Sequence, residues 1–370
     1  MDKELLRQLD FSLGEVVAEN IKNNVFSACS VGIIEGGTYP EKTIFHYGIT
    51  GRAAGGKQVD NRTIYDLASL TKPLVTSLSI LALIEEGKLK LSDSLADFFP
   101  RLGDVHKKIK IINLLEHTSG FPAHRAFFKE LITTVENERE AVIIGRITQE
   151  NLLFEPGAGE LYSDLGYILL GKIIEKVSGE KLDSYWQRII LGPLGLEKGL
   201  FFAANRNVKA SSFSATGFCQ WSNRELCGVV NDDNCRSLGG VAGHAGLFGT
   251  IEALVQFCEI ILKMYCGTFI HPKLSFELLR ERLAHKRGRW VLGFDTPSGL
   301  VSSSGKHFSF LTLGHLGFTG TSFWLDCKKM RGVVLLTNRV LGSEDLDLIR
   351  KFRPQIHDLI MEKITKEKGK

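Results

Sequence analysis

The stretch Ile64-Tyr-Asp-Leu-Ala-Ser-Leu-Thr-Lys-Pro-Leu74 decides how the rest of the chain is read. Its first five residues form an apolar approach, and a helical pattern runs from there to Glu86. Pro73 has no N–H to donate, which a helix tolerates only within about its first turn. The helix is therefore expected to begin near Ser69. Residues three apart share a helix face, so Lys72 falls beneath the Ser69 hydroxyl. A helix start also leaves unpaired N–H groups and a partial positive charge, so the Ser69 N–H could donate to a developing oxyanion. Leu67, Ala68, Leu70 and Leu74 surround Lys72 in sequence, a setting expected to desolvate the amine enough for it to lose its proton and act as a base. The competing reading is a Ser N-cap beside a surface Lys. Spacing alone does not choose, because the Ser-x-x-Lys pattern recurs at Ser178/Lys181 and Ser303/Lys306. Those two pairs fall across a helix junction and in a polar loop, where nothing would hold them rigid.

Outward from this stretch the chain divides into blocks. Upstream lie a helical pattern over residues 4–22 and two strand-like runs, Ala28 to Ile34 and Thr43 to Ile49, around a turn at Gly36-Gly37. Downstream, Ile111 to His117, Phe127 to Ile147, Asp164 to Val177 and Leu182 to Ile190 fit helices. Residues 200–250 are rich in Gly, Ser and Asn and read as irregular. After a helix at Ile251 to Met264, strands are expected at Trp290 to Phe294, His307 to Thr312, Thr321 to Asp326 and Gly332 to Thr337. A helix from Glu344 to Ile364 closes the chain. Strands at both ends with helices between predict an α+β fold. The expected units are a sheet domain from residues 1–68 and 245–370 and a mainly helical domain over 69–244.

Composition removes several classes of function. The 370 residues are 44% hydrophobic and 24% charged, an ordinary globular mixture, and 46 basic against 42 acidic residues leave only +4. Nothing in that balance calls for nucleic acid or an anionic membrane, and Lys107-Lys108 and the tail Lys363 to Lys370 read as solvated surface. Asp2, Lys3, Glu4, Arg7, Asp10, Glu15, Glu19 and Lys22 leave no apolar run for a secretory signal, so a cytoplasmic protein is expected. The apolar run Leu74 to Ile84 is shorter than the ~20 residues a membrane span needs. Seven cysteines form no Cys-x-x-Cys pair and His-Glu-x-x-His is absent, which predicts reduced thiols and no metal. Gly-x-Ser-x-Gly and Gly-x-Gly-x-x-Gly are missing. Two near-matches to a phosphate loop, Gly51 to Lys57 and Gly166 to Lys172, carry Gln58 and Ile173 where a magnesium-binding hydroxyl belongs. No cofactor is expected.

Two further segments bear on Ser69. Tyr162-Ser-Asp164 follows Pro156-Gly-Ala-Gly159 and precedes a helix, and Gly314-His-Leu-Gly-Phe-Thr-Gly320 opens a strand-like run whose glycines would let a substrate backbone approach closely. Singly, Tyr162 reads as a core ring, Asp164 as an N-cap and His315 as a strand histidine. In combination, Ser69-Leu-Thr-Lys72, Tyr162-Ser-Asp164 and His315-Leu-Gly317 resemble the serine β-lactamase and penicillin-binding-protein superfamily, and most the class C β-lactamase-like group. Leu114-Leu-Glu-His-Thr-Ser-Gly120, Gly239-Gly-Val-Ala-Gly-His-Ala-Gly246 and Gly317-Phe-Thr-Gly-Thr-Ser-Phe-Trp324 add to the likeness, which spans about residues 25–340.

The resemblance implies an antiparallel sheet flanked by terminal helices plus a helical domain. It also implies that Ser69 is acylated, that Lys72 accepts its proton, and that Tyr162 is a second proton-transfer group serving deacylation. Asp164 stands where many relatives carry an Asn that orients a substrate amide, so it would instead accept hydrogen bonds or hold Lys72 charged. His315 replaces a common Lys and would face a substrate carboxylate. Gly317 would line the substrate, and the Phe318 N–H would complete the oxyanion site. His117, His124 and His244 are read as structural. The function expected is hydrolysis of esters or amides of a small-molecule or short-peptide acyl substrate through an acyl-enzyme. The alternatives are a true β-lactamase or D,D-carboxypeptidase, and a non-catalytic binding module of the same fold. Neither the natural acyl group nor the oligomeric state is legible.

Overall fold

The computed structural model describes residues 3–36, 40–51, 56–219, 223–299, 302–343 and 345–367. Gly37 of the first turn, Glu344 before the last helix, residues 52–55 of the Gly51–Lys57 loop and residues 368–370 of the basic tail lie outside them.

A seven-stranded sheet runs in the spatial order Glu41–Gly48, Ala28–Glu35, Arg331–Thr337, Ser322–Asp326, Thr312–Leu316, Phe294–Asp295 and Trp290–Val291. Every neighbouring pair is antiparallel. Chain ends thus meet in the middle of the sheet, where Val31 lies opposite Leu335 on one side and Phe45 on the other. All residues of Ala28–Glu35 and Arg331–Thr337 are buried, because helices cover both faces. The terminal helices Lys3–Lys22 and Leu346–Glu367 bury Leu9, Leu13, Val17, Ile356 and Ile360 against Val31, Ile33 and Val333 on one face. On the other, Ile251–Tyr265 packs so tightly that a Cβ at Gly32 would meet Val255 Cγ2 at 2.2 Å. Each fully buried Leu, Ile or Val contributes about 1.5–3 kcal/mol.

The β-lactamase-like α+β expectation agrees with this architecture, while several element boundaries differ. His307 to Thr312 was expected as a strand, but pairing begins only at Thr312, since the Ser309 N–H and hydroxyl donate to Asp326 and tie that segment down as a loop. The single run expected from Trp290 to Phe294 is a two-stranded hairpin turning at Leu292 and Gly293, both at positive φ. The helix expected over Phe127 to Ile147 is broken into Phe128–Leu131, Glu136–Glu138 and Arg139–Thr148. A small sheet not expected from the sequence pairs Ile64–Asp66 and Leu200–Phe202 with opposite edges of Leu247–Thr250. It crosses both domain limits expected from the sequence, and it leads straight into the Ser69 helix.

That helix runs from Ala68 to Glu85 and is long and apolar enough to be weighed as a membrane span, but 83% of it is buried inside the fold. It is a core helix.

Candidate active site

Ser69 sits at the entrance of this helix, in a tight first turn, Ala68–Leu70. The helix then widens into π-type winding over Lys72–Ser77, a form often found at functional sites, with Pro73 near its start as the sequence predicts. The turn is strained. Ala68 has φ 47°, a conformation an L-residue seldom adopts. Its N–H is held by the Asp66 carboxylate at 2.8 Å. The result places Lys72 Nζ 2.9 Å from Ser69 Oγ. The Lys72 side chain is wholly buried, which excludes the surface-lysine reading.

Three more groups meet Lys72. Asp164, the first residue of the helix Asp164–Ser178, approaches with Oδ1 2.7 Å from Nζ, and the His244 carbonyl accepts from Nζ at 3.1 Å. Tyr162 stacks over Lys72, its ring centroid 4.8 Å from Nζ, and faces the same cleft as Ser69. The Tyr162–Asp164 loop is braced by His117, whose Nδ1 accepts the Ser163 N–H at 3.0 Å and whose ring packs 4.6 Å from that of Tyr162. Trp290 closes the stack, 5.5 Å from Tyr162 and 5.4 Å from His315.

The electrostatics correct one sequence expectation. Burial alone would strip the Lys72 proton, as the apolar flanks predicted, but the Asp164 charge reverses this and holds its pKa above the ordinary lysine value. Burial likewise pushes Asp164 up, and Lys72, helped by His124 and His244, overrides that and holds it far below the carboxylate range. Burial raises the Tyr162 pKa, and Lys72 offsets this only in part. The resting site is thus an ammonium–carboxylate pair beside a neutral phenol. Asp164 is not a free substrate ligand either, because its Oδ2 faces His124 Nδ1 at 3.4 Å.

His315, on the strand Thr312–Leu316, donates through Nδ1 to the Leu316 carbonyl at 2.8 Å. Burial, then Lys72, pushes its pKa down to about 3. It is neutral at any physiological pH, so it cannot anchor a carboxylate by charge. Gly317 lines the cleft and is also packed closely. A Cβ there would lie 2.0 Å from Thr321 Oγ1 and 2.9 Å from the Leu67 carbonyl, so local packing by itself demands the glycine. Phe318 follows in a turn, with its side chain 59% exposed, its carbonyl accepting from Arg339 Nε at 2.9 Å, and no acceptor for its N–H among the described residues.

These residues line one cleft of about 770 Å³. Ser69, Tyr162, Asp164, His315, Gly317 and Phe318 all face it, with Lys72 buried behind Ser69. The other two Ser-x-x-Lys pairs take no part in such a constellation, although Ser303 reaches the cleft wall. His124 was read as structural, yet it is half-exposed in the cleft, and contact with Asp164 raises its pKa. Asp66 and Trp290 were missed, since no local pattern marks a buried acid or ring as belonging to a cleft. His124, Asp164 and Asp232 bring possible ligand atoms within 4.8 Å of one another, but Lys72 and His244 already engage the two carboxylates.

Comparison with known proteins agrees with the geometry. Residues 17–355 match the Beta-lactamase family model, and the chain belongs to that family. It is 29% identical over 317 residues to an N-acetylmuramyl-L-alanine amidase of Bacillus subtilis, covering 76% of this chain and 69% of that one. A class C β-lactamase solved with cefoxitin superposes with a TM-score of 0.71 at 17% identity, covering 95% of this chain and 98% of that one. EstCE1, a hydrolase with promiscuous acyltransferase activity, gives 0.70 at 20% identity, over 96% and 98%. The protein is a serine hydrolase of the β-lactamase family.

Proposed function

We propose that Ser69 is the nucleophile of an acyl-enzyme, and that the enzyme acts on esters of neutral, small acyl groups. The observation that carries this is the contact of Lys72 Nζ with Ser69 Oγ at 2.9 Å, with the Tyr162 ring centroid 4.8 Å from the same Nζ. Ser69 Oγ attacks the acyl carbonyl, and its proton passes to the Lys72–Tyr162 pair once that pair has lost one of its own. The Ser69 and Phe318 N–H groups receive the developing oxyanion, and the displaced alcohol takes a proton from the pair. Water, activated by Tyr162, then releases the acid and restores Ser69.

Esters are favoured because Asp164 is spent on Lys72 and His124. A carboxylate cannot donate to a substrate amide carbonyl as an Asn would. Amide hydrolysis is the second reading, favoured by the name of the Bacillus relative. We also take residues 1–68 with 245–370 and residues 69–244 as two units that close on this cleft. Buried unpaired thiols at Cys29, Cys235, Cys258 and Cys327 support a reducing compartment such as the cytoplasm. Intact-mass measurement after exposure to a fluorophosphonate, a penicillin and p-nitrophenyl esters tests the reading. Adduct on Ser69 with the phosphonate and rapid ester turnover are expected, and modification of another serine would overturn the assignment.

A further inference from the structure

Asp66 ends the strand Ile64–Asp66, is 3% exposed, and belongs to none of the motifs that mark the site. Each of its oxygens holds a different wall of the cleft. Oδ1 accepts the Ala68 N–H at 2.8 Å, fixing the strained residue before the nucleophile. Oδ2 accepts the Asn231 N–H at 2.8 Å, fixing a second segment of the cleft lining, next to Asp232. Its backbone carbonyl accepts from Thr319 Oγ1 at 2.8 Å, tying in the turn that carries Phe318. One residue thus sets the mutual positions of Ser69, the Asn231–Asp232 wall and the oxyanion turn.

We propose that Asp66 is a positioning residue whose ionised carboxylate holds Ser69 in its reactive turn. Both partners are N–H donors, so both oxygens must accept. A protonated carboxyl turns one oxygen into a donor and releases either Ala68 or Asn231. Burial, together with the nearby Asp232, pushes the Asp66 pKa up to about 6 against the pull of the two N–H groups. The clamp is therefore closed at neutral pH and opens on mild acidification.

The charged groups around Asp66 leave this step distinct. On the nucleophile element, Lys72 is paired with Asp164. On the oxyanion turn, Arg339 is bound to the Phe318 carbonyl. On the 231–235 segment, Asp232 is held ionised chiefly by His244 against its burial, and burial keeps the Cys235 thiol neutral. His124, raised above the usual histidine value by its contact with Asp164, shares the cleft, and the His124→Gln variant separates its contribution.

The inference rests on the Ser69 reading and is tested by the rate of fluorophosphonate labelling between pH 5 and 8. Loss of a proton from the Lys72–Tyr162 pair gives log rate a slope of about one, and opening of the Asp66 clamp steepens it to about two below pH 6. In Asp66→Asn the steep region should vanish and the rate at pH 8 should fall about tenfold, because the amide Nδ2 cannot accept either N–H. His124→Gln should keep the steep region. A wild-type slope of one throughout overturns the inference on its own, even if Asp66→Asn does not fold, as does a steep region that persists in Asp66→Asn. Absence of labelling at every pH overturns the Ser69 reading and the role of Asp66 with it.

Discussion

Replacing Asp164 by Asn separates the two jobs a carboxylate could do in this cleft. At an effective dielectric near 20, unit charges as close as the 2.7 Å between Lys72 Nζ and Asp164 Oδ1 attract by about 6 kcal/mol. At 1.36 kcal/mol per unit, removing that attraction could lower the Lys72 pKa by about four units. The Asn dipole and entering water return part of this, so a fall of about two units or more is expected. Rising activity with pH reports deprotonation of the Lys72–Tyr162 pair. The rising limb of kcat/KM for p-nitrophenyl butyrate, followed from pH 6 to 10, should move down by about two units. Stability supplies an independent sign. In the variant the folded pKa of Lys72 lies below its unfolded value, so stability is lost as pH falls from about 10.4 to that folded pKa and is level below it. The melting-temperature deficit should therefore widen on going from pH 9.5 to pH 7. In the wild type Asp164 acts in the other direction, contributing stability above about pH 3.8 that is lost on acidification through its depressed pKa. A limb that stays in place, with a deficit independent of pH, would refute the reasoning.

The remaining expectations concern single residues. Ser69→Ala should abolish ester turnover and phosphonate labelling while the melting temperature changes by only a few degrees, since a cleft hydroxyl carries little packing energy. p-Nitrophenyl butyrate should be hydrolysed with a higher kcat/KM than nitrocefin, and a β-lactam preference of about tenfold or more, a 1.4 kcal/mol difference in barrier, would contradict the part assigned to Asp164. For a matched pair of esters with and without a terminal carboxylate, the KM ratio should be flat from pH 5 to 8, because His315 stays neutral down to about pH 3. His315→Lys should introduce a preference for the anionic ester. A carboxylate advantage at pH 7.5 that disappears in His315→Gln would show that His315 is charged after all.

Local chemistry was legible in the sequence wherever one residue constrains its neighbours strongly. Pro73 alone confines the helix start, and three-residue spacing then puts Lys72 at Ser69. The central strands were legible because Ala28–Glu35 and Arg331–Thr337 are buried throughout and carry the apolar stretches Val31 to Ile34 and Gly332 to Leu336. Short pairings were not. Ile64–Asp66 has three residues and no period to detect, and it becomes a strand only because Leu247–Thr250 lies beside it. The alternation around Phe308 and Phe310 resembles a strand, but Asp326 captures the backbone of Ser309 and Phe310 is left 58% exposed. The charged state of Lys72 was legible only through Asp164, whose place in the family motif gave it the option of holding Lys72 charged. Its near neighbours are apolar and argue for a neutral amine, whereas the carboxylate that decides the matter arrives from another helix.

That carboxylate also sets what the site can do at rest. With Asp164 ionised, Lys72 charged and Tyr162 neutral, the constellation holds all the protons needed to release a leaving group and lacks the base needed to start the reaction. On the proposed mechanism one proton must leave the pair before Ser69 can attack, so the expected rate follows a small deprotonated fraction that grows with pH. The oxyanion is poorly served by Lys72 as well, because Asp164 cancels much of its charge. In the proposed mechanism stabilisation then falls on the backbone N–H groups of Ser69 and Phe318, on segments that Asp66 ties together through the Ala68 N–H and Thr319 Oγ1. A scarce base and neutral oxyanion donors suit acyl groups with good leaving groups, which demand least from each. The same arrangement disfavours unstrained amides, whose less electrophilic carbonyl depends most on the base and on the oxyanion donors and gains nothing from Asp164. Activity should therefore rise from neutral towards alkaline pH, and esters of acidic alcohols should exceed those of ordinary alkyl alcohols by more than their intrinsic reactivities differ.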